Sequence, residues 1–272
     1  ALKKWGFSSW LKEYSHEEIQ AQSTEDTAQY ECILTSKQLD RYLDKIKQQQ
    51  SCALDTETTS LDSMQARLVG VSLSVTAGRA CYIPLGHKAT DAGTTGDLLQ
   101  KAESEPAPKQ IAVDRALNLL KPLLEDPAVL KIGQNIKYDF IVLKNNGIEI
   151  DPVEDTMLLS YVLDAGNNRH NMDTLSELHL GHKTISYKDV VGSGKKQLNF
   201  SEVKLKEATE YAAEDADITL RLYEILSDRV NNEKLNKIYE VFEKPMIKLL
   251  SKLEMDSRFL IVGIINEIAP DL

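Results

Sequence analysis

The chain is 272 residues long, with hydrophobic and charged fractions of 42% and 27% and a formal net charge of −10. This length suits one large domain or two small ones. The acidic balance argues against a large nucleic-acid footprint, but not against a small one in which metal ions meet a single phosphate. No apolar run approaches the roughly 20 residues of a membrane helix, and no signal peptide is visible. Three scattered cysteines, Cys32, Cys52 and Cys81, indicate an intracellular protein, not a disulfide framework or a zinc site.

The first part of the chain is expected to be strand-rich. Residues 1–28 are predicted to be a linker segment, since most of them are polar or charged. The predicted strands lie at 30–34, 52–57, 68–75 and 80–85, with a helix after the first, starting from Ser36 as its N-cap. The last three strands follow one another through short turns, which predicts an antiparallel meander. Residues 88–110 have little periodic apolar content and are predicted to form a mobile surface loop.

From residue 111 onward, helices dominate. Apolar periodicity predicts helices at 111–124, 136–145, 155–163, 172–180 and 204–230, and a last one at 233–255 interrupted at Pro245. Short buried strands are predicted at 129–132 and 148–150. Strands first and helix–strand alternation afterwards predict an α/β fold, a mixed sheet covered by helices.

The first candidate site lies in residues 51–62. The segment begins apolar, as a buried strand should, and places Asp55 and Glu57 two residues apart. Side chains alternate faces along a strand, so both carboxylates project from the same side. They repel each other unless a cation lies between them, and a divalent metal with oxygen ligands fits best. An Asp and a Glu at a solvated strand end is the alternative.

Two later stretches add further acidic groups. Asp139 falls in the first turns of a helix that follows a short strand, a junction where sites are often built. Tyr211 and Asp215 are four apart on a helix and therefore neighbours on one face, and the alanines between them allow close approach to the sheet. The alternatives are a solvated helix carboxylate and a helix with a half-buried Tyr. Glu214 and Asp217 are predicted to form a solvated acidic edge.

Three motifs carry a family resemblance: LDTETTSLD at 54–62, IGQNIKYD at 132–139 and YAAEDAD at 211–217. Together they resemble the proofreading 3′–5′ exonuclease domain of bacterial-type family A DNA polymerases, the DNA polymerase I family. This is the DEDD exonuclease group, in the subclass with a catalytic tyrosine. The resemblance extends over roughly residues 30–230. It implies a ribonuclease H-like mixed β-sheet flanked by α-helices, with the exonuclease domain at 29–230.

The resemblance also implies catalytic roles. Asp55, Glu57 and Asp215 would hold one divalent ion, Mg²⁺ or Mn²⁺, and Asp55 would bridge to a second ion that Asp139 helps to place, partly through water. Two ions about 4 Å apart can activate a water molecule and stabilise the leaving 3′ oxygen. Tyr211 would position the attacking water beside Glu57 without acting as a base.

A cleft for single-stranded nucleic acid is implied as well. Leu61 would wedge against the terminal base, and Tyr187, where the family often has Phe, would stack nearby. Asn135, Tyr138 and Arg169 would contact the sugar-phosphate chain. Such contacts hold single strands without sequence preference. Leu61 and Tyr187 as plain core residues are the alternative. The lysine-containing loop at 182–196 is the best local basic patch, although a solvated loop fits almost as well.

Two segments depart from the resemblance. The connection at 88–110 is longer than usual, and residues 231–272 start like the entry to a polymerase domain but cannot form one, so no polymerase activity is expected of this chain. We therefore predict a 3′–5′ exodeoxyribonuclease acting on single-stranded or frayed 3′ ends of DNA. It is expected to be a cytoplasmic monomer, or organellar if a presequence precedes it, with a separate DNA polymerase as a candidate partner. The alternatives are a ribonuclease D-like exoribonuclease and a non-catalytic nucleic-acid-binding or scaffold domain.

Overall fold

The computed structural model describes residues 28–89, 107–194 and 197–268, with side chains up to residue 257. The predictions for residues 1–27 and for most of the 88–110 loop lie outside the described residues. The ends of that loop are joined, because the side chain of Gln110 accepts from the His87 N–H at 3.0 Å and donates to the His87 carbonyl at 2.8 Å. Among the described residues, no helix combines the length and apolarity of a membrane span.

Six strands and eight helices are numbered in chain order within the described ranges. The strands are β1 (Gln29–Cys32), β2 (Ser51–Thr58), β3 (Leu68–Thr76), β4 (Arg79–Pro84), β5 (Leu130–Gly133) and β6 (Val153–Asp155). The helices are α1 (Ser36–Gln49), α2 (Val113–Leu124), α3 (Lys137–Asn145), α4 (Thr156–Asp164), α5 (Met172–Leu180), α6 (Tyr187–Val191), α7 (Leu205–Asn232) and α8 (Lys244–Ile268). A 3₁₀ turn at Phe200–Glu202 precedes α7. A short α-helical turn at Asn236–Ile238, left unnumbered, continues into a π-helical segment at Tyr239–Glu243 and then into α8.

The strands form one mixed sheet in the order β1-β4-β3-β2-β5-β6. β2, β3 and β4 make the predicted antiparallel meander. β1 pairs parallel with β4, and β2, β5 and β6 are parallel to one another. The pairing of β2 with β5 ends at Ala53, so the rest of β2 has a free edge on that side.

The two faces of the sheet are covered differently. Cys52 and Leu54 of β2 pack into a large apolar cluster with residues of α1, α2 and α3. Ala53, between them, faces the other way and packs against Leu220 of α7. Alternation along β2 therefore sends residues 53, 55 and 57 toward α7. The small side chains of this helix, Ala212 among them, let it lie close to the sheet.

Three details of the sequence prediction were wrong. Ile148 and Ile150 are buried in the core but do not pair as a strand; the edge strand β6 follows three residues later. The apolar alternation at 148–150 reflects burial of these side chains and not strand pairing. Ser36 is the first residue of α1 and not its N-cap, which is Thr35. Asp155 is not the first residue of α4 but its N-cap. The predicted interruption near Pro245 is observed, since the π-helical segment Tyr239–Glu243 ends directly before α8, in which Pro245 is the second residue.

The contact between Gly70 and Tyr82 yields a stability prediction. A Cβ added at Gly70 of β3 would overlap the hydroxyl and ring of the fully buried Tyr82. We expect Gly70→Ala to lower the free energy of unfolding by about 1–3 kcal/mol, the usual cost of overpacking, in chemical denaturation. In a Tyr82→Ala background the same alanine should cost much less. Equal costs in both backgrounds would show that this contact is not responsible.

Candidate active site

Three carboxylates meet between β2 and α7. Asp55 and Glu57 project from β2 toward α7, which carries Asp215. One oxygen from each lies within 4.8 Å of the oxygens of the other two. Glu57 and Asp215 are only 7% and 6% exposed, so the alternative of a solvated strand end is wrong.

Asp139 approaches from the other side of β2. It is buried in the first turn of α3, and its Oδ1 accepts from the Thr56 N–H at 2.9 Å and from the Thr56 hydroxyl at 2.6 Å. Thr56 lies between Asp55 and Glu57, on the free edge that β5 leaves uncovered. Asp139 is therefore next to the three clustered carboxylates but is hydrogen-bonded to the strand that carries two of them.

Burial and mutual repulsion dominate the electrostatics. Burial raises the pKa of Asp55 to about 6. Burial, and then the charge of Asp55, raises the pKa values of Glu57, Asp139 and Asp215 well above the ordinary range. The buried Glu57 Oε1 has no hydrogen-bond partner among the described residues. An oxygen-rich, crowded and partly unpaired group of this kind fits divalent cations.

Tyr211 belongs to an aromatic group beside the carboxylates. Its ring lies 6.0 Å from that of Tyr187 and 5.9 Å from that of Phe200, centroid to centroid. Tyr187 in turn is stacked on Phe200, with ring centroids 6.3 Å apart. Burial, and then the charge of Asp215, raises the pKa of Tyr211 far above its ordinary value. Its hydroxyl is therefore protonated near neutral pH, and it lies within hydrogen-bonding reach of the Asp215 carboxylate.

A cleft of about 560 Å³ opens over these groups. Its floor contains Asp55, Glu57 and Asp215, and its walls include Leu61 and Tyr187. Leu61 is 94% exposed and Tyr187 38% exposed, so the alternative of plain core residues is wrong for both. An exposed leucine and an exposed ring at the mouth of an acidic cleft are suited to contacts with a flat apolar ligand group.

Hydrogen bonds hold the loop that carries Leu61. The Tyr138 hydroxyl donates to the Ser60 carbonyl at 2.5 Å and makes a short contact with the Thr58 hydroxyl. From the opposite side, the Asn199 amide donates to the Thr59 carbonyl at 2.9 Å. Asn199 was not singled out from the sequence, because a lone Asn in a loop carries no distinguishing signal.

The other two predicted contact residues lie further along. Asn135 is exposed, has a left-handed φ of 57°, and lines a groove with Leu61 and Tyr138 that runs toward α8. Arg169 is exposed in the turn between α4 and α5. Its neighbour His170 accepts from the Gln134 amide at 2.8 Å, which puts this turn beside the Asn135 loop. None of the hydrogen bonds among the described residues joins the Arg169 side chain to the cleft.

The predicted solvated edge of α7 was wrong. Glu214 is buried, accepts from the Ile185 N–H at 2.6 Å and pairs with His182 Nε2 at 2.9 Å. Asp217 is also buried and accepts from the Gly78 N–H at 2.6 Å. Every side chain from 212 to 220 is buried, so this part of α7 has no solvated face. The uninterrupted run of small and apolar residues around the acids was the available signal.

The basic patch is only partly described. Lys183 and Lys188 are exposed, whereas Lys195 and Lys196 lie outside the described residues.

The raised carboxylate pKa values give an expectation for pH dependence. In the unfolded chain these carboxyl groups lose their protons above a pKa of about 4, whereas folded Asp55 keeps its proton up to a pKa of about 6. The free energy of unfolding of the metal-free protein should therefore fall as the pH rises from about 4 through about 6. Divalent metal requires ionised ligands. We therefore expect Mg²⁺ or Mn²⁺ to raise the melting temperature more at pH 8 than at pH 5. The corresponding difference in the metal-induced gain in free energy of unfolding should be on the order of 1–3 kcal/mol.

Glu57→Gln is the matched control for this expectation. It keeps the shape of the side chain and removes one of the crowded charges. The chelator-treated variant should depend less on pH than the parent and should gain less from added metal. A metal-induced shift of equal size at both pH values in the parent would contradict the argument.

Comparison with known proteins identifies the family. A family model described as 3′–5′ exonuclease matches residues 30–231. DNA polymerase I of Rhizobium leguminosarum is 47% identical over 238 residues, which cover 84% of this chain and 23% of that protein. DNA polymerase I of Pseudomonas aeruginosa is 38% identical over 259 residues, covering 91% of this chain and 27% of that protein. The chain thus spans about a quarter of the length of these curated relatives.

Solved structures share the fold. Brucella melitensis NrnC, solved also with bound Mg²⁺ and bound to pGG, is 23% identical with a TM-score of 0.57, over 85% of this chain and 91% of that one. Escherichia coli RNase D is 17% identical with a TM-score of 0.58, over 83% of this chain and 50% of that one. The fold is therefore the ribonuclease H-like one of these exonucleases. Exonucleases of the 3′–5′ type are hydrolases that act on nucleic acid. The family model matches most of the chain, so the chain belongs to the 3′–5′ exonuclease family of the family A DNA polymerases.

Proposed function

We propose that this chain is a divalent-metal-dependent exodeoxyribonuclease that removes nucleoside monophosphates from single-stranded or frayed 3′ ends of DNA. The observation that carries the proposal is the acidic cluster of Asp55, Glu57 and Asp215 on the floor of a cleft with exposed Leu61 and Tyr187 at its mouth. The relatives named DNA polymerase I support DNA as the substrate.

The acidic groups are proposed to serve as metal ligands. Asp55, Glu57 and Asp215 would hold one Mg²⁺ or Mn²⁺, and Asp55 together with Asp139 a second. The buried, unpaired Glu57 Oε1 supports this assignment. Such ions supply positive charge at the phosphate and lower the pKa of water. Without such ions, the acidic cluster would repel the backbone phosphates of a nucleic acid.

The remaining residues are proposed to orient the substrate. The Tyr211 hydroxyl, protonated beside Asp215, would donate a hydrogen bond that holds the attacking water next to Glu57. Leu61 would wedge against the terminal base, and Tyr187 would stack on it. The sugar-phosphate chain would follow the adjoining groove along Tyr138 and Asn135 and past Arg169.

We also propose a domain division. Residues 29–230 form the exonuclease domain and 231–272 a C-terminal segment, of which the part described with side chains, up to residue 257, packs on the domain. Tyr239 and Ile247 are buried at that packing surface, in clusters with α7 and with α3 respectively.

The decisive experiment compares substrates. The full chain should shorten a 3′-extended, 5′-labelled DNA strand one nucleotide at a time with Mg²⁺ and not with chelator. If the matched RNA is digested faster, RNA and not DNA is the substrate, and digestion of neither would reject the proposal.

Asp55→Ala should lower the rate by at least about 10³-fold, because the ligand shared by both proposed ions is lost. A variant with the parent rate would contradict the assignment.

Tyr211→Phe tests the positioning role. The variant keeps the ring in the aromatic group with Tyr187 and Phe200 but loses the hydroxyl. We expect single-turnover cleavage at saturating Mg²⁺ to slow by a factor on the order of 10 to 1,000, well short of the loss in Asp55→Ala. The melting temperature should change little. Full activity would remove the hydroxyl from the mechanism, and a large fall in melting temperature would show that its role is structural.

A further inference from the structure

We propose that Asp155 is a positioning residue whose buried carboxylate fixes the first turn of α3 and thereby holds Asp139 at the acidic site. The proposal rests on the proposed function for the metal-binding role of Asp139. Asp155 itself is remote from the cleft lining and touches none of the three clustered carboxylates among the described contacts.

The carboxylate of Asp155 joins two separate loops. It is 1% exposed at the end of β6, and its Oδ1 accepts from the N–H of Met157 at 2.8 Å and of Leu158 at 3.4 Å, as the N-cap of α4. The same oxygen accepts from the Asn135 N–H at 3.1 Å, and Oδ2 accepts from the Ile136 N–H at 3.0 Å. An N-cap needs only the first pair of bonds. The second pair reaches 20 and 19 residues back along the chain.

The loop that donates this second pair of hydrogen bonds is short and contains an unfavourable backbone conformation. β5 ends at Gly133 and α3 begins at Lys137, so the chain reverses in three residues. Asn135 lies in the left-handed region, with φ 57°, which is unfavourable for a residue with a Cβ. The N–H groups at the start of a helix also lack acceptors within it. Asp155 supplies acceptors, and its negative charge lies at the positive end of α3.

The constraint passes directly to Asp139. The Tyr138 N–H donates to the Asn135 carbonyl at 3.0 Å, and the Phe140 N–H donates to the Ile136 carbonyl at 2.8 Å. These two bonds close the turn on which Asp139 lies. Its carboxylate is held at the far end by Thr56. The position of Asp139 is therefore set by two clamps, one at β2 and one at Asp155.

Asp155→Ser separates positioning from capping. Serine is a good N-cap for α4 but is too short to reach Asn135 and Ile136 as well. Thr35→Ala is the matched control: Thr35 caps α1 through the Gln38 N–H at 3.3 Å, an exposed contact on a helix that contributes nothing to the cleft. It loses a cap of the same kind elsewhere in the fold.

The first measurement is amide hydrogen exchange in the metal-free full chain. Asp155→Ser should speed exchange at Asn135 and Ile136 by roughly tenfold or more while leaving Leu158 close to the parent, and Thr35→Ala should change none of the three. Unchanged exchange at Asn135 and Ile136, or equal acceleration at Leu158, would overturn the proposal.

The second measurement is Mn²⁺ binding by calorimetric titration. In Asp155→Ser one of two ions should bind about 10- to 100-fold more weakly, the usual effect of removing an outer support, and the other should be unaffected. Equal weakening of both ions, or of neither, would count against positioning through Asp139. If Asp155→Ser does not fold, Asp155→Asn replaces it, since asparagine retains the cap but turns an amide toward the Ile136 N–H. The same single ion should then weaken.

The two proposals fail in different ways. A parent that digests neither DNA nor RNA rejects the proposed function, whereas the exchange result in metal-free protein still decides whether Asp155 fixes the first turn of α3.

Discussion

The repulsion among buried carboxylates is the constraint on which this structure depends. Asp55, Glu57 and Asp215 are brought within 4.8 Å of one another, and burial raises the pKa of each. A fold that crowds like charges loses stability unless protons or cations neutralise them. The rest of the molecule must therefore supply enough packing and hydrogen bonding to hold an arrangement that is unfavourable by itself.

The sheet and one helix provide that support. β2 is paired with β3 from Ala53 to Thr58, which fixes Asp55 and Glu57 in register. α7 packs on the face of the sheet from which Asp55 and Glu57 project and contributes Asp215. The alanines of this helix let it lie close to the sheet. The pairing of β2 with β5 stops at Ala53, so the Thr56 N–H has no acceptor in β5 and donates to Asp139 instead. Because β5 ends at Gly133 while β2 continues to Thr58, the edge of β2 is open for the site and for the anchor of its fourth carboxylate.

Much of this could be predicted from the sequence, and the reasons for success and failure are physical. Alternation along β2 correctly put Asp55 and Glu57 on one face, because strand geometry has a fixed period. Helical spacing correctly paired Tyr211 with Asp215. The same spacing could not reveal the burial of Glu214 and Asp217, since burial depends on the loops that pack against α7, and those come from residues 182–185 and 78. For Ile148 and Ile150, the apolar pattern correctly predicted burial, but it could not predict whether the segment pairs with a neighbouring strand.

Neighbouring acids on α7 illustrate how context sets the role of a residue. Asp215 faces two other carboxylates and has a raised pKa, whereas Glu214 accepts a backbone N–H and pairs with His182. Asp217 accepts from the Gly78 N–H and from the Tyr30 hydroxyl at 3.2 Å, and so joins the β3–β4 turn to β1. Three acids within four positions thus divide between a cluster of like charges and two contacts with hydrogen-bond donors.

The C-terminal segment belongs to the same physical unit. The Asp155 N–H donates to the Tyr239 hydroxyl at 3.1 Å, and Lys244 pairs with Glu154 at 2.5 Å, so both residues at the end of β6 are held from beyond residue 230. Ile247 is buried in the same cluster as Phe140 of α3. The proposed boundary at residue 230 therefore separates two segments of sequence that remain joined by these contacts. Because Asp155 in turn contacts the loop before α3, the segment after α7 supports the acidic site through β6, although none of its residues lines the cleft over the carboxylates.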